Sequence, residues 1–410
     1  MRLITAVFVV LTLWTVTPAM AQSNTPEFPP VTAQQQQSFA AWRDGFRTRA
    51  LANGVPAQSF DAAFRGATYN TEVNYRDSNQ AEFTRAIWDY LDRAVSDARV
   101  SNGRRLARRN ARTLRIVENR FGVEAHVVMS IWGMESNYGA VRGDIRVVEA
   151  LGTLATNGRR RTWAERELMN VFSILANGDV APRNLTGSWA GAMGHTQFMP
   201  SSYLAYARDL HGDGHRDVWS NNPEDALAST AHYLAAHGWQ NGAPIAHEVL
   251  LPRGFDFALV DGETRHNADF WTSRSVTRAQ GVLYTAAPFA LWAPAGGSGP
   301  VFAVYPNFRV IRRYNNAASY ALAVGLLADR IAGAGPLQAA WPRDERALAQ
   351  DEIAEIQLRL EGLGYAAGGA DGRIGTITRL AIRAYQQAKG MLNDGEPSVA
   401  LLEALRQDAG

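Results

Sequence analysis

The chain of 410 residues is long enough to form two or three domains and to bury a substantial core. Its 46% hydrophobic and 20% charged residues are typical of a soluble globular protein. The 41 basic and 39 acidic residues leave a net charge of +2, so the total charge indicates no class of partner. The absence of cysteine excludes disulfide bonds and a lipid-modified amino-terminal cysteine.

The first residues of the chain predict a secretory signal peptide at 1–21. Arg2 supplies the positive charge, residues 6–14 form a short apolar run, and Ala-Met-Ala at 19–21 is a small-residue cleavage site. The run is too short to span a bilayer, and no later stretch is long and apolar enough to do so. We therefore expect a soluble protein that begins near Gln22, is exported to a bacterial periplasm and has no membrane anchor.

Composition shifts divide the rest of the chain. Residues 22–37 are polar and contain proline, which predicts a flexible leader. Residues 38–335 have mainly helical periodicity, but at about 244–313 short apolar runs between glycines and prolines predict a small β-rich insertion. Residues 336–348 are predicted to be a linker, and helix-spaced apolar positions at 349–406 predict a compact helical module.

The most informative single residue is Glu135, on a predicted helix. Val128, Ile131 and Trp132 lie seven, four and three residues before it and share its face of the helix. Burial on that face would raise the pKa of the carboxyl, and a carboxyl still protonated near neutral pH can donate a proton to a leaving group. The alternative is a core glutamate paired with one of the many arginines, since structural ion pairs also perturb pKa values.

A glycine-rich segment at 187–203 is the second chemical signal. Its small residues allow a ligand to approach the backbone closely. Ser188 and Gln197 can form hydrogen bonds with sugar hydroxyls or an acetamido group, and Phe198 and Tyr203 can stack on a sugar ring. The alternative is a tight helix crossing.

Together, Glu-Ser-Asn-Tyr-Gly at 135–139 and Gly-Ala-Met-Gly-His-Thr-Gln-Phe-Met-Pro-Ser-Ser-Tyr at 191–203 resemble the lytic murein transglycosylase B family, bacterial enzymes that cleave peptidoglycan strands. The similarity extends over about 39–331 and implies a mainly α protein with a lysozyme-like helical catalytic domain. It also implies that Glu135 is the sole catalytic acid/base. The family's sugar-binding positions correspond to Ser188, Gln197, Tyr233, Tyr314, Asn315 and Tyr320, its arginine pair falls within 159–161 and is assigned to Arg159 and Arg160, and Phe198 completes the predicted set.

Residues 209–217 resemble an EF-hand calcium loop, with candidate ligands at its first, third, fifth and ninth positions and glycine at the sixth. Two positions depart from that pattern, because the third is His211 and the twelfth is Ser220 in place of glutamate. The family resemblance offers a later carboxylate as a further ligand. The predicted calcium ligands are therefore Asp209, His211, Asp213, His215 and Asp225, and a metal-free acidic turn is the alternative.

The carboxy-terminal module contains Asp-Gly-Arg-Ile-Gly-Thr at 371–376 and Ala-Ile-Arg-Ala-Tyr-Gln at 381–386. These motifs are similar to the three-helix peptidoglycan-binding domain of the PG_binding_1 type. The resemblance implies a non-catalytic anchor that raises the local concentration of the catalytic domain on its polymer. A purely structural helical module is the alternative.

Ordinary glycosidases use two carboxylates that flank the scissile bond, whereas these motifs supply only Glu135. The predicted function is therefore that of a lytic transglycosylase, which cleaves between N-acetylmuramic acid and N-acetylglucosamine and forms a 1,6-anhydro end. A lysozyme-like hydrolase and, from another class, a non-catalytic peptidoglycan-binding scaffold are the alternatives. The expected partner is the glycan strand, with no nucleic acid and no cofactor for the chemistry beyond a possible structural calcium.

Overall fold

The computed structural model describes residues 28–79, 86–344 and 346–408, so the predicted signal peptide lies outside the described residues. The described residues form seventeen α-helices and seven short strands. Within these ranges, no helix is both long enough and apolar enough to cross a membrane.

Fourteen helices precede the carboxy-terminal module, and most of them pack around one large hydrophobic core. They are α1 (Ala33–Ala52), α2 (Ala57–Phe64), α3 (Thr71–Ser78), α4 (Ile87–Ala94), α5 (Asp97–Arg109), α6 (Ala111–Phe121), α7 (Ala125–Ser136), α8 (Val147–Thr156), α9 (Arg161–Ala176), α10 (Pro200–Tyr206), α11 (Glu224–Ala236), α12 (Ala268–Thr272), α13 (Pro306–Tyr314) and α14 (Ala318–Ala332).

Helix α7 lies at the centre of this core. Seven consecutive residues, 127–133, are buried, as expected for a helix that is surrounded by other elements. It packs most extensively against α14, where the Ser130 hydroxyl donates a buried hydrogen bond of 2.7 Å to the Val324 carbonyl. The carboxyl end of α7, which carries Glu135, is thereby held in place by a long helix from the far end of the domain.

The predicted flexible leader at 22–37 is wrong in its last five residues, because α1 begins at Ala33. Thr32 caps the helix by accepting from the Gln35 amide at 3.2 Å, and the Gln35 side chain accepts in return from the Thr32 amide at 2.9 Å. This reciprocal arrangement is a capping box, which satisfies two backbone donors that a helix start leaves free. Phe39 and Trp42 on the following turns are buried.

The strands form two antiparallel sheets. A two-stranded sheet pairs β1 (Ile145–Arg146) with β2 (Thr186–Gly187). The remaining strands are β3 (Ala246–Leu250), β4 (Thr277–Arg278), β5 (Ala290–Trp292), β6 (Pro294–Gly297) and β7 (Val301–Val304). The second sheet has the order β4-β3-β7-β5, and β6 lies beside it.

The β-rich insertion predicted at about 244–313 is therefore too long at its carboxyl end. Its strands end at Val304, and the following residues form α13. Pro306 occupies the first turn of this helix, where its missing N–H is tolerated. Phe308 and Ile311 are buried three residues apart, a helical spacing that the strand prediction overlooked.

The last three helices, α15 (Gln350–Gly362), α16 (Thr376–Ala388) and α17 (Val399–Asp408), enclose a separate core that includes Ile356, Ile382 and Leu402. This arrangement confirms the predicted three-helix module, and the whole architecture confirms the predicted mainly α fold class. The module also touches the insertion, where the Asp394 carboxylate accepts from the Gly297 amide at 3.0 Å.

The predicted linker at 336–348 is attached to the rest of the protein along its length. The buried Glu248 carboxylate accepts from the backbone amides of Gln338 at 2.8 Å and Ala339 at 2.7 Å. Further along, Arg343 forms a two-pronged ion pair with Asp92 of α4. These contacts hold the connection against both the insertion and the helical core.

Candidate active site

Glu135 occupies the last turn of α7 and is partly buried. The Tyr320 hydroxyl, from the first turn of α14, donates a short hydrogen bond to its carboxylate. Among the described residues, no arginine or lysine lies within ion-pair distance of this carboxylate. In the described part of the chain, Glu135 therefore does not form the core ion pair that was the alternative interpretation.

Burial raises the pKa of Glu135 to about 7, and the hydrogen bond from Tyr320 opposes this rise because it favours the charged form. The carboxyl is thus partly protonated near neutral pH, which suits a group that both gives and takes a proton. Its negative charge also adds to burial in raising the pKa of Tyr90 to about 12, and it raises the pKa of Tyr314 and Tyr320 further. Among the described residues, the groups whose pKa the charge of Glu135 shifts are therefore tyrosines and not cations.

Tyr233 and Tyr314 form a tyrosine wall, in which their side chains and that of Phe198 contact one another. The Tyr314 hydroxyl donates to the Thr196 carbonyl and the Tyr233 hydroxyl donates to the Arg313 carbonyl, each at 2.7 Å. The two tyrosine rings lie 4.9 Å apart, and the Phe198 ring lies 5.7 Å from each of them. These contacts fix Tyr314, whose pKa the charge of Glu135 raises, and hold Tyr233 against it.

Phe198 and Tyr203 were predicted to stack on a sugar, and the structure contradicts this. Phe198 is only 2% exposed, and Tyr203 is fully buried with its hydroxyl donating to the Arg216 carbonyl. Both rings pack inside the protein, so Phe198 supports the tyrosine wall from behind. The local sequence around a loop phenylalanine does not indicate whether its ring faces a ligand or the core.

Ser188 and Gln197 are partly exposed, and among the described residues each has one side-chain polar group without a hydrogen-bond partner. Gln197 has a left-handed backbone with φ of 52°, and its amide donates to the Arg142 and Gly194 carbonyls at 3.0 and 2.8 Å. Its side-chain oxygen is left to accept. The Ser188 hydroxyl oxygen accepts from the Ala192 amide at 3.2 Å, so its proton is left to donate.

The two sequence motifs are joined by His195, which the site prediction did not include. Trp132 donates to His195 Nδ1 at 3.0 Å, and Nε2 lies 2.8 Å from the Ser220 carbonyl, as a neutral ring with its proton on Nε2 requires. Burial accordingly lowers the pKa of this imidazole. The Ser136 hydroxyl, next to Glu135, donates to the His195 carbonyl at 2.9 Å.

Gly139 completes this junction. Its φ of +82° favours glycine, and a Cβ at this position would lie 2.3 Å from His195 Cε1. The end of α7 can therefore approach the second motif only because residue 139 has no side chain. Gly139 belongs to the motif at 135–139, but no local signal in the sequence indicates that an imidazole ring covers it.

Tyr90 of α4 is a second residue that sequence reasoning missed, since no motif surrounds it. It lines a cavity of about 790 Å³ together with Ser319, the neighbour of Tyr320. The same cavity is lined by Arg379 and Glu396 of the carboxy-terminal module. The module therefore faces the cavity that Tyr90 and Ser319 line.

The remaining predicted sugar-binding residues lie elsewhere or on the surface. Arg159 and Arg160 both contact the Asp77 carboxylate of α3, at 2.5 and 3.4 Å. Asn315 is exposed, and its side-chain oxygen accepts from the Ala317 amide at 3.2 Å. The binding roles of these three residues stay predictions.

The predicted calcium loop uses its carboxylates within the protein. Asp209 accepts from the amides of His211, Gly212 and Gly214, and Asp225 accepts from two further backbone amides. His211 Nε2 lies 3.1 Å from Glu224. In the described part of the chain, no group of three or more histidine, aspartate or glutamate side chains is placed to hold a metal ion. Asp213 and His215 also lie in this loop, and the residues as placed do not form a ligand set.

Comparison with known proteins identifies the family of the helical domain that carries Glu135. The family model described as a transglycosylase SLT domain matches residues 38–329, more than half of the chain, and a peptidoglycan binding domain model matches 349–405. The protein belongs to the transglycosylase SLT domain family.

Three relatives illustrate the similarity. Membrane-bound lytic murein transglycosylase B of Escherichia coli K12 is 35% identical over 218 residues, which span 52% of this chain and 58% of the relative. SltB3 from Pseudomonas aeruginosa, in complex with NAG-anhNAM-pentapeptide, is 46% identical with a TM-score of 0.84, covering 90% of this chain and 100% of that one. Escherichia coli Slt35 in complex with calcium is 28% identical with a TM-score of 0.60, covering 72% and 93%.

A Tyr320→Phe variant is expected to shift the pH dependence of activity upward. The hydrogen bond from Tyr320 lowers the pKa of Glu135, so its loss raises that pKa above about 7. If Glu135 acts first as an acid, activity falls as pH rises through its pKa, and this fall should move to higher pH by roughly one to two units. Rate measurements across pH test the shift. Tyr305→Phe, which removes a buried hydroxyl in the insertion, is the control, and an unmoved profile for Tyr320→Phe would contradict the assignment.

Proposed function

We propose that the protein is a lytic transglycosylase that cleaves the β-1,4 bond between N-acetylmuramic acid and N-acetylglucosamine in peptidoglycan, for cell-wall remodelling or turnover. The observation that carries this proposal is the state of Glu135. Its pKa is raised to about 7 by burial, and no second carboxylate among the described residues contributes to that value. A site with one acid favours a reaction in which the same group gives and then recovers a proton.

In the first step, protonated Glu135 gives its proton to the glycosidic oxygen, and the bond from that oxygen to C1 of the muramic acid breaks. The N-acetyl oxygen of the substrate stabilises the positive charge that develops at C1. The Tyr320 hydroxyl donates to the carboxylate that forms, which holds it in place.

In the second step, the Glu135 carboxylate takes the proton of the muramic acid C6 hydroxyl. The C6 oxygen attacks C1 and closes the 1,6-anhydro ring, so the carboxyl is again protonated and no water is consumed. The overall reaction needs neither a second carboxylate nor a cofactor.

The binding roles follow from the groups left available. The Gln197 side-chain oxygen can accept from, and the Ser188 hydroxyl can donate to, an acetamido group or sugar hydroxyls. Tyr233 and Tyr314 would line the sugar subsites. The complex of the 46% identical SltB3 with NAG-anhNAM-pentapeptide supports an anhydro sugar as product.

Mass spectrometry of the fragments released from purified sacculi tests the reaction. We expect the muramic acid ends to be anhydro ends, each lighter by one water than a hydrolysed reducing end. Sacculi digested with a muramidase provide the hydrolysed reference. Reducing ends that carry the added water would contradict the proposal and favour the lysozyme-like hydrolase, and release of no fragments would favour the scaffold.

The proposed setting is the periplasm, with peptidoglycan strands as the partner. The signal-like pattern at 1–21 supports export. The match of 349–405 to a peptidoglycan binding domain model supports a carboxy-terminal anchor on the polymer.

Calcium binding at residues 209–225 stays a prediction, supported by the sequence pattern and by the calcium complex of Slt35. An ion that binds only the folded state raises its stability, by about 2.7 kcal/mol at one hundred times the Kd. Thermal denaturation with calcium and with a chelator measures the difference. We expect a higher midpoint with calcium and no difference in Asp213→Asn, whereas equal midpoints for the native sequence would count against the site.

A further inference from the structure

A polar cluster away from Glu135 lies where the insertion meets α14. His247 of β3, Arg278 of β4 and Asp329 of α14 each line two neighbouring cavities, of about 630 and 590 Å³. Asp329 follows Tyr320 by nine residues on α14, which places it about 13 Å further along the helix axis. The cluster is therefore separate from the catalytic acid.

The three side chains have hydrogen-bonding capacity that the described residues do not use. His247 Nδ1 is buried and has no hydrogen-bond partner. Among the described residues, the Asp329 carboxylate has no hydrogen-bond or ion-pair partner. The Arg278 guanidinium donates one hydrogen bond of 3.1 Å, to the Val282 carbonyl, and has further N–H groups to offer.

Opposite charges face the same space without touching. Burial raises the pKa of Asp329 to about 6, and the charge of Arg278 partly offsets this rise. Burial and the same guanidinium lower the pKa of His247 to about 3, so the imidazole is neutral. Among the described residues, Arg278 and Asp329 nevertheless do not form an ion pair, although the Asp329 carboxylate loses hydration at this position.

The sheet register and the helix end fix this arrangement. Arg278 pairs with Val249 across the antiparallel ladder, and His247 lies two residues before Val249. The side chains of Arg278 and His247 therefore lie on the same face of the sheet. Asp329 lies in the last turn of α14, where the free carbonyls also favour a cation.

We propose that these cavities bind a zwitterionic α-amino-acid group, whose ammonium pairs with Asp329 and whose carboxylate pairs with Arg278. A simple anion would meet the Asp329 carboxylate and a simple cation would meet the guanidinium, whereas a zwitterion satisfies both. The neutral His247 supplies a further hydrogen bond. A free amino acid and the unlinked α-amino-acid group of a diaminopimelate residue in a peptidoglycan stem peptide present the same chemistry, and only the second source rests on the proposed function.

Calorimetric titration of the full chain tests the site without measuring lysis. The probes are meso-diaminopimelic acid, which has two zwitterionic ends, and pimelic acid, which has the same chain without amines. The pH is kept above the Asp329 pKa of about 6. We expect binding of the first probe only. Asp329→Asn and Arg278→Gln should each weaken it by about tenfold or more, as the loss of a charged hydrogen bond predicts.

The exposed Asp269→Asn, in the same insertion, is the matched control and should bind like the native sequence. A stem tripeptide that ends in diaminopimelate distinguishes the sources, because tighter binding of the tripeptide assigns the site to stem peptides and equal binding assigns it to the head group alone. Equal binding of pimelic acid, no binding of any amine-bearing probe, or unchanged binding in both variants would overturn the proposal. The comparison of the two small probes needs no variant to fold.

Discussion

Glu135→Gln is expected to abolish the release of muropeptides from sacculi while leaving binding to sacculi intact. The amide keeps the size of the side chain and can neither give nor recover a proton. General acid–base catalysis contributes about 10²- to 10⁴-fold, and here one group performs both proton transfers, so we expect a loss of about 10³-fold or more. Chromatography of soluble fragments measures release, and co-sedimentation measures binding.

Glu263→Gln is the matched control for this variant, because Glu263 is exposed on the insertion and 71% of its side chain is accessible. It should release fragments at the native rate. A Glu135→Gln protein whose rate stays within tenfold of native would remove Glu135 from the proposed role. If the native protein binds sacculi and releases no fragments, the result would favour the alternative of a non-catalytic peptidoglycan-binding scaffold.

Gly139→Ala is expected to destabilise the protein and to reduce its activity together. The backbone at this position has φ of +82°, which costs an alanine about 1–2 kcal/mol. Its Cβ would also lie 2.3 Å from His195 Cε1, and that ring cannot move freely because Trp132 and Ser220 hold both its nitrogens. Adding overpacking of about 1–3 kcal/mol gives a total near 2–5 kcal/mol. Denaturant unfolding measures the loss of stability.

Gly158→Ala separates the two contributions. Gly158 has a similar φ of +87°, is exposed, and would meet no atom within 4 Å. This control should show the backbone penalty alone and keep native activity. If both variants lost the same stability, the imidazole would not constrain residue 139, and the junction between the two motifs would be weaker than the contacts indicate.

Local patterns in the sequence were sufficient for the features that depend on neighbours in the chain. The apolar face that leads to Glu135, the helix-spaced core of the carboxy-terminal module and the mainly α fold class were all predicted from such patterns. The capping box at Thr32 is also present in the sequence, but the polar composition of 22–37 predicts a flexible leader instead. The α13 helix was missed because short apolar runs are ambiguous between strand and helix.

Contacts between distant segments could not be predicted in this way. Phe198 is an example, because its burial depends on Tyr233 and Tyr314, which lie far along the chain. The attachment of the linker is another, since Glu248 accepts from amides about ninety residues later. No local residue pattern encodes either contact.

The sequence by itself determined that Glu135 lies on an apolar helix face, within motifs of a glycan-cleaving family. Only the tertiary structure decided its chemical state. The pKa of about 7 results from burial under elements that are distant in sequence and from a hydrogen bond donated by Tyr320, 185 residues away. Helical periodicity depends on residues within two turns, whereas desolvation depends on every segment that excludes water, so the acid could be located from the sequence but its protonation could not.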